Sequence, residues 1–215
     1  MHYTSVLFDL DGTLLDTLGD LTAAMNRTLT RHGLPQRTRQ QMRAALGNGA
    51  RRLMELSVPE GTDSALFETL LAEYNADYAA HCRIETAPYP GVAALLRDLH
   101  AQGRKLAIVS NKPDEAVRAL RADFFADAVG VAVGETADIR RKPAPDMLLA
   151  AMKKLGADPA GTVFVGDSEV DIATARAADL PCISVLWGFR DRDVLERAGA
   201  QQFAADTAQL QQLLG

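Results

Sequence analysis

Two acids near the start of the chain, Asp9 and Asp11, lie at the end of a short apolar segment, residues 4–10, that stops at Gly12-Thr13. Side chains two residues apart on a strand point the same way, so both carboxylates are predicted to face one crevice. Like charges that close are costly unless a cation lies between them or one carboxyl is protonated. A plain Asp-Gly turn is the alternative, but an apolar strand ending in two acids favours cation or acid–base chemistry.

Polar residues also lie at the end of a second apolar segment, residues 105–110. The segment ends at Ser110, and Asn111 follows it. A hydroxyl and exposed amides before a helix could hold a phosphate oxygen, and the alternative is a simple helix cap. Lys142 precedes another predicted helix, where a lysine on its own is typical of solvated surface.

A further acidic pair, Asp167 and Asp171, follows the apolar segment 162–165. The two acids are one helical turn apart, a spacing that suits a hard cation because such cations bind carboxylate oxygens. Helix capping is again the alternative, since acids are favoured at a helix N-terminus.

The segments that position these residues alternate between β and α patterns. The β candidates are residues 4–10, 105–110, 129–133, 162–165 and 182–186. Helical patterns separate them at residues 91–102, 114–122, 146–155 and 172–178. This alternation predicts an α/β fold: a Rossmann-like parallel sheet with right-handed crossovers and helices on both faces. All the polar groups above then fall at the carboxyl ends of strands or in the following loops, where open α/β sheets bind ligands.

Residues 17–86 differ from the rest, because they show helical periodicity, as in Leu18, Leu21, Met25 and Leu29, and no convincing strand. About seventy residues are too many for one crossover, which normally needs a dozen or so. We therefore predict a core domain formed by residues 1–16 and 87–215, with a small α-helical cap of residues 17–86 inserted after the first strand. Such an insertion would lie over the ligand crevice as a lid.

Composition limits the class of protein. The chain has 215 residues, of which 47% are apolar, and its 23 basic and 28 acidic residues give a net charge of −5. That balance disfavours nucleic acid as a partner. No uncharged stretch is long enough to span a membrane, and the early acids leave no room for a signal peptide. With two distant cysteines, we expect a cytoplasmic protein with reduced thiols, a monomer or homodimer.

Taken together, the motifs resemble those of the haloacid dehalogenase (HAD) superfamily of hydrolases, in order and over nearly the whole chain. Asp9-Leu10-Asp11-Gly12-Thr13 is similar to the first motif, Ser110 to the second, Lys142 to the third and Gly166-Asp167-Ser168-Glu169-Val170-Asp171 to the fourth. The insertion resembles the helical cap of the subclass that includes phosphoglycolate phosphatase.

The resemblance implies a mechanism. Asp9 would attack phosphorus to form an aspartyl-phosphate, and Asp11 would act as general acid and then general base. Mg²⁺ would be held by the Asp9 side chain, the Asp11 backbone carbonyl and Asp167, with Asp171 steadying a metal-bound water. The charge on the transferring phosphoryl group would be stabilised by Ser110, Asn111 and Lys142.

The helical insertion carries the clues to substrate. Between Leu21 and Met54 there are seven arginines and no acid, and Gly47-Asn48-Gly49 followed by Arg51 and Arg52 resembles a phosphoglycolate phosphatase loop. Guanidinium groups beside a glycine-rich loop suit a small phosphorylated metabolite that also carries a carboxylate. Solvated helix surface is the alternative for each arginine. The leading substrate is 2-phosphoglycolate, and a sugar-phosphate phosphatase, a pyrophosphatase and a β-phosphoglucomutase-like phosphotransferase stay open.

Other activities and classes fit less well. Asp11 argues against a true dehalogenase, because expelling halide needs no acid, and residues 17–86 contain no lysine for a Schiff-base phosphonate hydrolase. A receiver-like signalling domain also uses Asp, Ser/Thr and Lys on a parallel sheet, but the insertion and Asp11 oppose it. An inactive binding protein of the same fold would lack one of the motif acids, and none is missing.

Overall fold

Short runs of buried residues form the sheets of the protein, whose computed structural model describes residues 2–215. In chain order the strands are β1 (Ser5–Phe8), β2 (Leu15–Asp16), β3 (Ala87–Pro88), β4 (Lys105–Pro113), β5 (Val131–Glu135), β6 (Thr162–Gly166), β7 (Cys182–Val185) and β8 (Gln202–Ala204). Six of them form one parallel sheet in the order β5-β4-β1-β6-β7-β8. The parallel α/β sheet predicted from the sequence is confirmed.

Helices account for most of the remaining chain. In chain order they are α1 (Leu18–Arg31), α2 (Arg39–Ala45), α3 (Gly49–Ser57), α4 (Ser64–His81), α5 (Val92–Ala101), α6 (Asp114–Phe124), α7 (Asp146–Leu155), α8 (Glu169–Ala177), α9 (Arg192–Arg197) and α10 (Thr207–Leu214). Within residues 2–215, none of these helices has the length and apolar character needed to cross a membrane.

Two structural units share these elements. One comprises residues up to Leu15 together with Pro88–Gly215, and the other comprises Asp16–Ala87. We call them the α/β unit and the helical unit. The chain passes from one to the other at β2 and β3, which pair as a separate two-stranded sheet.

Both faces of the central sheet in the α/β unit are buried, as expected for parallel strands that read as continuous apolar runs. One face packs against α7 in a fully buried cluster that includes Leu7, Val109, Phe164, Met147 and Leu148. The helix α7 spans the predicted residues, and it ends at Gly156, whose left-handed backbone (φ 57°) terminates the helix.

Three differences from the predicted elements bear on the site. The strand β4 continues three residues beyond Ser110, to Pro113, so the polar residues there belong to a strand. The helix α8 begins at Glu169 rather than Ile172, which places Asp171 in its first turn. The short edge strand β8 was not predicted, because three residues of mixed polarity carry no periodic signal.

The helical unit consists of α1–α4, as the periodicity of residues 17–86 indicated. The predicted apolar stripe of α1, namely Leu18, Leu21, Met25 and Leu29, is buried. The carboxylate of Asp20 accepts three backbone N–H bonds, at 2.9 to 3.0 Å, from Ile84, Glu85 and Thr86. This acid ties the end of the helical unit to its first helix.

Strand order determines where a ligand crevice lies in the α/β unit. The chain runs outward from β1 in both directions, to β4 and β5 on one side and to β6, β7 and β8 on the other. Ligands of open α/β sheets bind outside the carboxyl ends of strands at such a switch point. The ends of β1, β4 and β6 carry the predicted site residues.

Candidate active site

The segment after β1 separates the first two acids. The backbone N–H of Asp9 donates to the carbonyl of Val165 on β6 at 2.9 Å, and the chain then turns at Gly12. Gly12 has a φ of 87°, and a Cβ there would collide with the Asp167 carboxylate, so this position requires glycine. Beyond the strand end, the side chains of Asp9 and Asp11 contact two different lysines.

Lys142 is the cation beside Asp9. Its ammonium donates to Asp9 Oδ1 and to Asp171 Oδ1, both at 2.7 Å, and its side chain is only 3% exposed. Burial alone would lower the pKa of Lys142, but the carboxylates of Asp171 and Asp9 raise it above its ordinary value. Burial, with the charges of Asp171 and Asp167, raises the pKa of Asp9 well above its usual range although Lys142 opposes the shift. The ionised form of Asp9 therefore depends on neighbouring positive charge.

Asn111 holds the backbone of Lys142 in place. Its amide nitrogen donates to the Lys142 carbonyl at 3.0 Å, and its amide oxygen accepts from the Lys142 N–H at 2.8 Å. Both side-chain atoms of Asn111 thus position the lysine, and its predicted contact with a phosphoryl group stays a prediction. The residue links the end of β4 to the loop that precedes α7.

Asp167 follows β6, and both of its carboxylate oxygens are held by the protein. Oδ1 accepts from the Thr13 hydroxyl at 3.1 Å, and Oδ2 accepts from the Phe189 N–H at 2.7 Å. Burial and the negative charge of Asp171 raise the pKa of Asp167 to about 7, although the bonds from Phe189 and Thr13 lower it. Such an acid is ionised at neutral pH only in part unless a cation approaches.

Asp171 accepts hydrogen bonds on both oxygens and is fully buried. Oδ1 receives the Lys142 ammonium, and Oδ2 receives the Asp167 N–H at 3.2 Å, the Ser168 N–H at 3.1 Å and the Ser168 hydroxyl at 2.6 Å. Four donors match the roughly four lone-pair directions of a carboxylate. Asp171 and Ser168 also form the capping box of α8, so the capping interpretation of this acid is confirmed.

The three acids Asp9, Asp167 and Asp171 lie close enough to hold a metal ion, with one oxygen of each within 4.8 Å of the others. The Lys142 ammonium contacts two of these three buried carboxylates, so the group carries an excess of negative charge. Oxygen donors with excess negative charge fit a hard divalent cation. Because Asp171 already accepts four hydrogen bonds, three of them on Oδ2, Asp9 and Asp167 are the side chains better placed to bind such an ion directly.

Ser110 and Lys112 lie on β4, near its carboxyl end. The Ser110 hydroxyl, 2% exposed as a residue, accepts from the Lys112 N–H at 3.3 Å and can still donate its own proton to a ligand. The Lys112 ammonium is 2.9 Å from Asp11 Oδ2, and the other oxygen of Asp11 is buried without a hydrogen-bond partner among the described residues. Sequence reasoning passed over Lys112, although a lysine two residues after a motif serine in a buried strand was the available signal.

The loop after β7 also contacts the site, which the sequence did not predict. The Trp187 indole N–H donates to the Thr13 carbonyl at 3.0 Å, and the Phe189 N–H holds Asp167 as described above. A Cβ at Gly188 would collide with Asp167 and with the Gly12 carbonyl. Apolar side chains such as those of Trp187 and Phe189 carry no sequence signal for such backbone contacts.

The candidate specificity residues of the helical unit lie at the junction of α2 and α3. Gly47 and Asn48 precede α3, and Gly49, Arg51 and Arg52 belong to it. Within this unit Arg51 pairs with Glu68 through two hydrogen bonds of 2.8 and 2.9 Å, and Arg52 pairs with Glu55 at 2.9 Å. Each guanidinium is about half exposed.

Comparison with known proteins agrees with this geometry. A sequence profile of the haloacid dehalogenase-like hydrolases matches residues 6–185. A phosphoglycolate phosphatase from Xylella fastidiosa is 35% identical over 88% of this chain and 82% of its own length. An N-acetylmuramic acid 6-phosphate phosphatase from Pseudomonas aeruginosa is 34% identical over 88% of this chain and 84% of its own length. The chain belongs to the haloacid dehalogenase-like hydrolase family.

The fold comparison points in the same direction. The crystal structure of a candidate phosphoglycolate phosphatase from Lactobacillus delbrueckii superposes with a TM-score of 0.94 and 35% identity, covering 100% of this chain and 99% of the other. The similarity therefore extends over both units of the chain rather than over the motifs alone.

Proposed function

We propose that this protein is a phosphatase that hydrolyses a small phosphomonoester, with 2-phosphoglycolate as its substrate. The observation that carries the proposal is the separation of two acids at one strand end: Asp9 lies against Lys142, while Asp11 lies against Lys112. One acid can attack phosphorus while the other exchanges a proton with the leaving group.

The reaction proceeds in two displacements. A carboxylate oxygen of Asp9 attacks phosphorus as the P–O ester bond breaks, and Asp11 gives its proton to the leaving alkoxide. Water then attacks the phosphorus of the aspartyl-phosphate, and Asp11 takes up one of its protons. The bond to Asp9 breaks, which releases inorganic phosphate and restores the carboxylate.

Three residues serve the transferring phosphoryl group. The Lys142 ammonium favours the ionised form of Asp9, and both Lys142 and the Ser110 hydroxyl can donate to phosphoryl oxygens as charge develops there. Asn111 acts on the phosphoryl group through Lys142, because its side chain holds the Lys142 backbone and so orients the ammonium.

The cofactor we propose is Mg²⁺, held by the Asp9 and Asp167 side chains and the Asp11 backbone carbonyl. When bound, the ion offsets the combined negative charge of the phosphate and the attacking carboxylate. Asp171 binds Lys142 and the α8 backbone instead, and in this proposal it steadies a water at the ion.

The substrate proposal draws on the relatives, since two of them are named for phosphate esters of acids, 2-phosphoglycolate and N-acetylmuramic acid 6-phosphate. The second compound is the alternative substrate, because a relative that is 34% identical to this chain is named for it. We also propose that the loop Gly47–Gly49, with Arg51 and Arg52, contributes to substrate specificity. Sugar phosphates, pyrophosphate and phosphomutase chemistry complete the set to be tested.

The test is phosphate release with Mg²⁺ or with EDTA, comparing kcat/KM for 2-phosphoglycolate, N-acetylmuramic acid 6-phosphate, sugar phosphates, pyrophosphate and an aryl phosphate. A preference for 2-phosphoglycolate of at least ~100-fold, or ~2.7 kcal/mol, is the expected result. Low and similar kcat/KM values for all these compounds would support a phosphatase but contradict 2-phosphoglycolate as its substrate. Isomerisation of β-glucose 1-phosphate without phosphate release would instead identify a mutase.

A further inference from the structure

Two buried lysines lie at the candidate site, and they contact different acids. The Lys142 ammonium binds Asp9, the proposed nucleophile, whereas the Lys112 ammonium binds Asp11, the proposed proton donor. The Lys112 side chain is 4% exposed and that of Asp11 is 20% exposed. A cation beside the nucleophile faces the transferring phosphoryl group, and a cation beside the proton donor faces the leaving group.

The position of Lys112 is fixed by the end of β4. Its N–H donates to the Ser110 hydroxyl, and the following residue, Pro113, still pairs with Glu135 on β5. The Lys112 carbonyl lies against Gly134, where a Cβ would come within 2.8 Å of it. The ammonium is therefore presented from the end of a strand, where the pairing with β5 shifts register, rather than from a loop, which favours a precise contact with a ligand.

Distances place this ammonium within reach of a specific part of the substrate. A general acid must come within about 2.6–3.2 Å of the ester oxygen that it protonates. The Lys112 Nζ is 2.9 Å from Asp11 Oδ2. An ester oxygen held by Asp11 would therefore lie close to the Lys112 ammonium as well. In an ester of a 2-hydroxy acid, two bonds of about 1.5 Å separate the ester oxygen from the carboxylate carbon.

We propose that Lys112 binds the carboxylate of the leaving group, and so selects phosphate esters in which a carboxylate is attached to the carbon beside the ester oxygen. This inference rests on the proposed phosphatase function and names its substrate class. An ammonium has three N–H donors, so contacts with Asp11 and with a substrate carboxylate can coexist. Without such a cation, the substrate carboxylate would approach the Asp11 side chain as a like charge.

The same geometry separates the two acids named for the relatives. In 2-phosphoglycolate the carboxylate is two bonds from the ester oxygen. In N-acetylmuramic acid 6-phosphate the carboxylate belongs to a lactyl ether at C3 of the sugar, several bonds further from the ester oxygen at C6. A cation beside Asp11 that binds the substrate carboxylate therefore favours 2-phosphoglycolate.

The experiment compares 2-phosphoglycolate with 2-phosphoglycolamide, its uncharged amide, in the full-length protein with Mg²⁺. The quantity measured is the ratio of kcat/KM for the acid to that for the amide. It is determined for the wild type, for Lys112→Met and Lys112→Gln, and for Lys153→Met as a control at an exposed lysine on α7. Circular dichroism shows which variants are folded.

We expect the wild-type and Lys153→Met ratios to agree, and the ratio to fall at least ~10-fold in Lys112→Met, as for the loss of a charge-assisted hydrogen bond. A purely structural role for Lys112, acting through Asp11, would slow both substrates alike and leave the ratio unchanged, which overturns the proposal. If Lys112→Met does not fold, the same comparison is made with Lys112→Gln.

The wild type alone distinguishes this proposal from the proposed function. Hydrolysis of both compounds with a ratio near one keeps the phosphatase and overturns the role of Lys112. Hydrolysis of neither compound contradicts the proposed substrate itself, and activity on N-acetylmuramic acid 6-phosphate would then move the carboxylate contact away from Lys112.

Discussion

The two units of the protein bury carboxylates with opposite balances of charge. In the helical unit, Asp77 accepts hydrogen bonds from Arg27 at 2.6 Å and from Arg31 at 2.9 Å, so one acid meets two cations. In the α/β unit, three buried acids lie together, and the ammonium of Lys142 contacts two of them, Asp9 and Asp171.

The pKa shifts follow this balance. Burial alone would raise the pKa of Asp77, but the hydrogen bonds from Arg27 and Arg31 lower it below its ordinary value. Burial raises the pKa of Asp9, and the Lys142 ammonium does not reverse that shift. Burial also raises the pKa of Asp167, although the charge of Arg190 opposes it. A buried acid that is paired with enough positive charge stays ionised in the folded chain without a ligand. A buried group of acids with too little positive charge must bind a cation or take up protons, and this distinguishes the candidate site from a structural ion pair.

The largest expected effect is that of Asp9→Asn, which removes the nucleophile. We expect turnover to fall by at least ~10⁴-fold. The melting temperature should be maintained or rise, because the lost carboxylate is one whose charge burial disfavours. Phosphate-release assays and thermal melts check both parts, with Asp127→Asn at an exposed position as the control. Near-normal activity in a pure preparation would show that Asp9 is not the nucleophile.

Lys142→Met tests the acid-rich side of the comparison directly. Removing one partner of a buried ion pair costs about 3–5 kcal/mol, and the loss of a charge-stabilising group lowers kcat by roughly 10²–10³-fold. Since the pKa of Asp9 is already raised, its protonation relieves the repulsion at low pH, and the loss of stability should be smaller at pH 5 than at pH 8. Urea denaturation at both pH values measures this, with Lys153→Met alongside. Equal losses would contradict the proposed charge imbalance.

The proposed Mg²⁺ site predicts a particular pH dependence. Because the pKa of Asp167 is raised to about 7, protons compete with the ion below that pH. The concentration of Mg²⁺ that gives half-maximal activity should increase by up to about tenfold per pH unit below 7, and level off above it. Titrations of activity with Mg²⁺ between pH 5.5 and 8.5 give the curve. A flat curve would remove Asp167 from the metal ligands.

Asp77→Asn tests the cation-rich cluster in the helical unit. We expect a loss of about 1–2 kcal/mol in the free energy of unfolding at pH 7, with kcat unchanged. Because the folded pKa of Asp77 is lowered, its contribution is present above the unfolded value near 3.9 and disappears as the pH falls below it. Denaturant titrations from pH 7 to pH 3 should therefore bring the two proteins together at the acidic end.

The smallest expected effect belongs to Arg51→Gln and Arg52→Gln. Both guanidinium groups already pair with acids of their own unit, so we expect only about a threefold loss of kcat/KM for 2-phosphoglycolate relative to an aryl phosphate. Arg118→Gln, at an exposed arginine of the α/β unit, is the control. Equal losses on the two substrates would assign carboxylate recognition to the α/β unit alone.

The features that the sequence predicts correctly are local. The apolar runs that stop at Asp9 and at Asp167 correctly predicted the positions of β1 and β6. Such predictions succeed because burial and the alternation of elements are encoded residue by residue. The periodicity of α1 predicted its buried face. The assignment of residues 17–86 as a cap over the crevice, and the catalytic roles, stay predictions.

Features that link distant residues could not be predicted in the same way. The side chain of Asn111 binds the backbone of a residue 31 positions away, and Trp187 binds the Thr13 carbonyl across 174 positions. Neither contact leaves a local pattern, since an amide or an indole has many equivalent partners until the fold brings one near. The pairing of Lys112 with Asp11 is of the same kind.

The packing around Asp167 limits how this enzyme can acquire new substrates. Gly12 and Gly188 flank the carboxylate so closely that neither position has space for a Cβ. Random mutagenesis should find these two codons invariant for steric reasons, whatever activity is selected. Adaptive substitutions should instead accumulate where side chains approach the leaving group, and Lys112 is the position in the α/β unit where we expect them first.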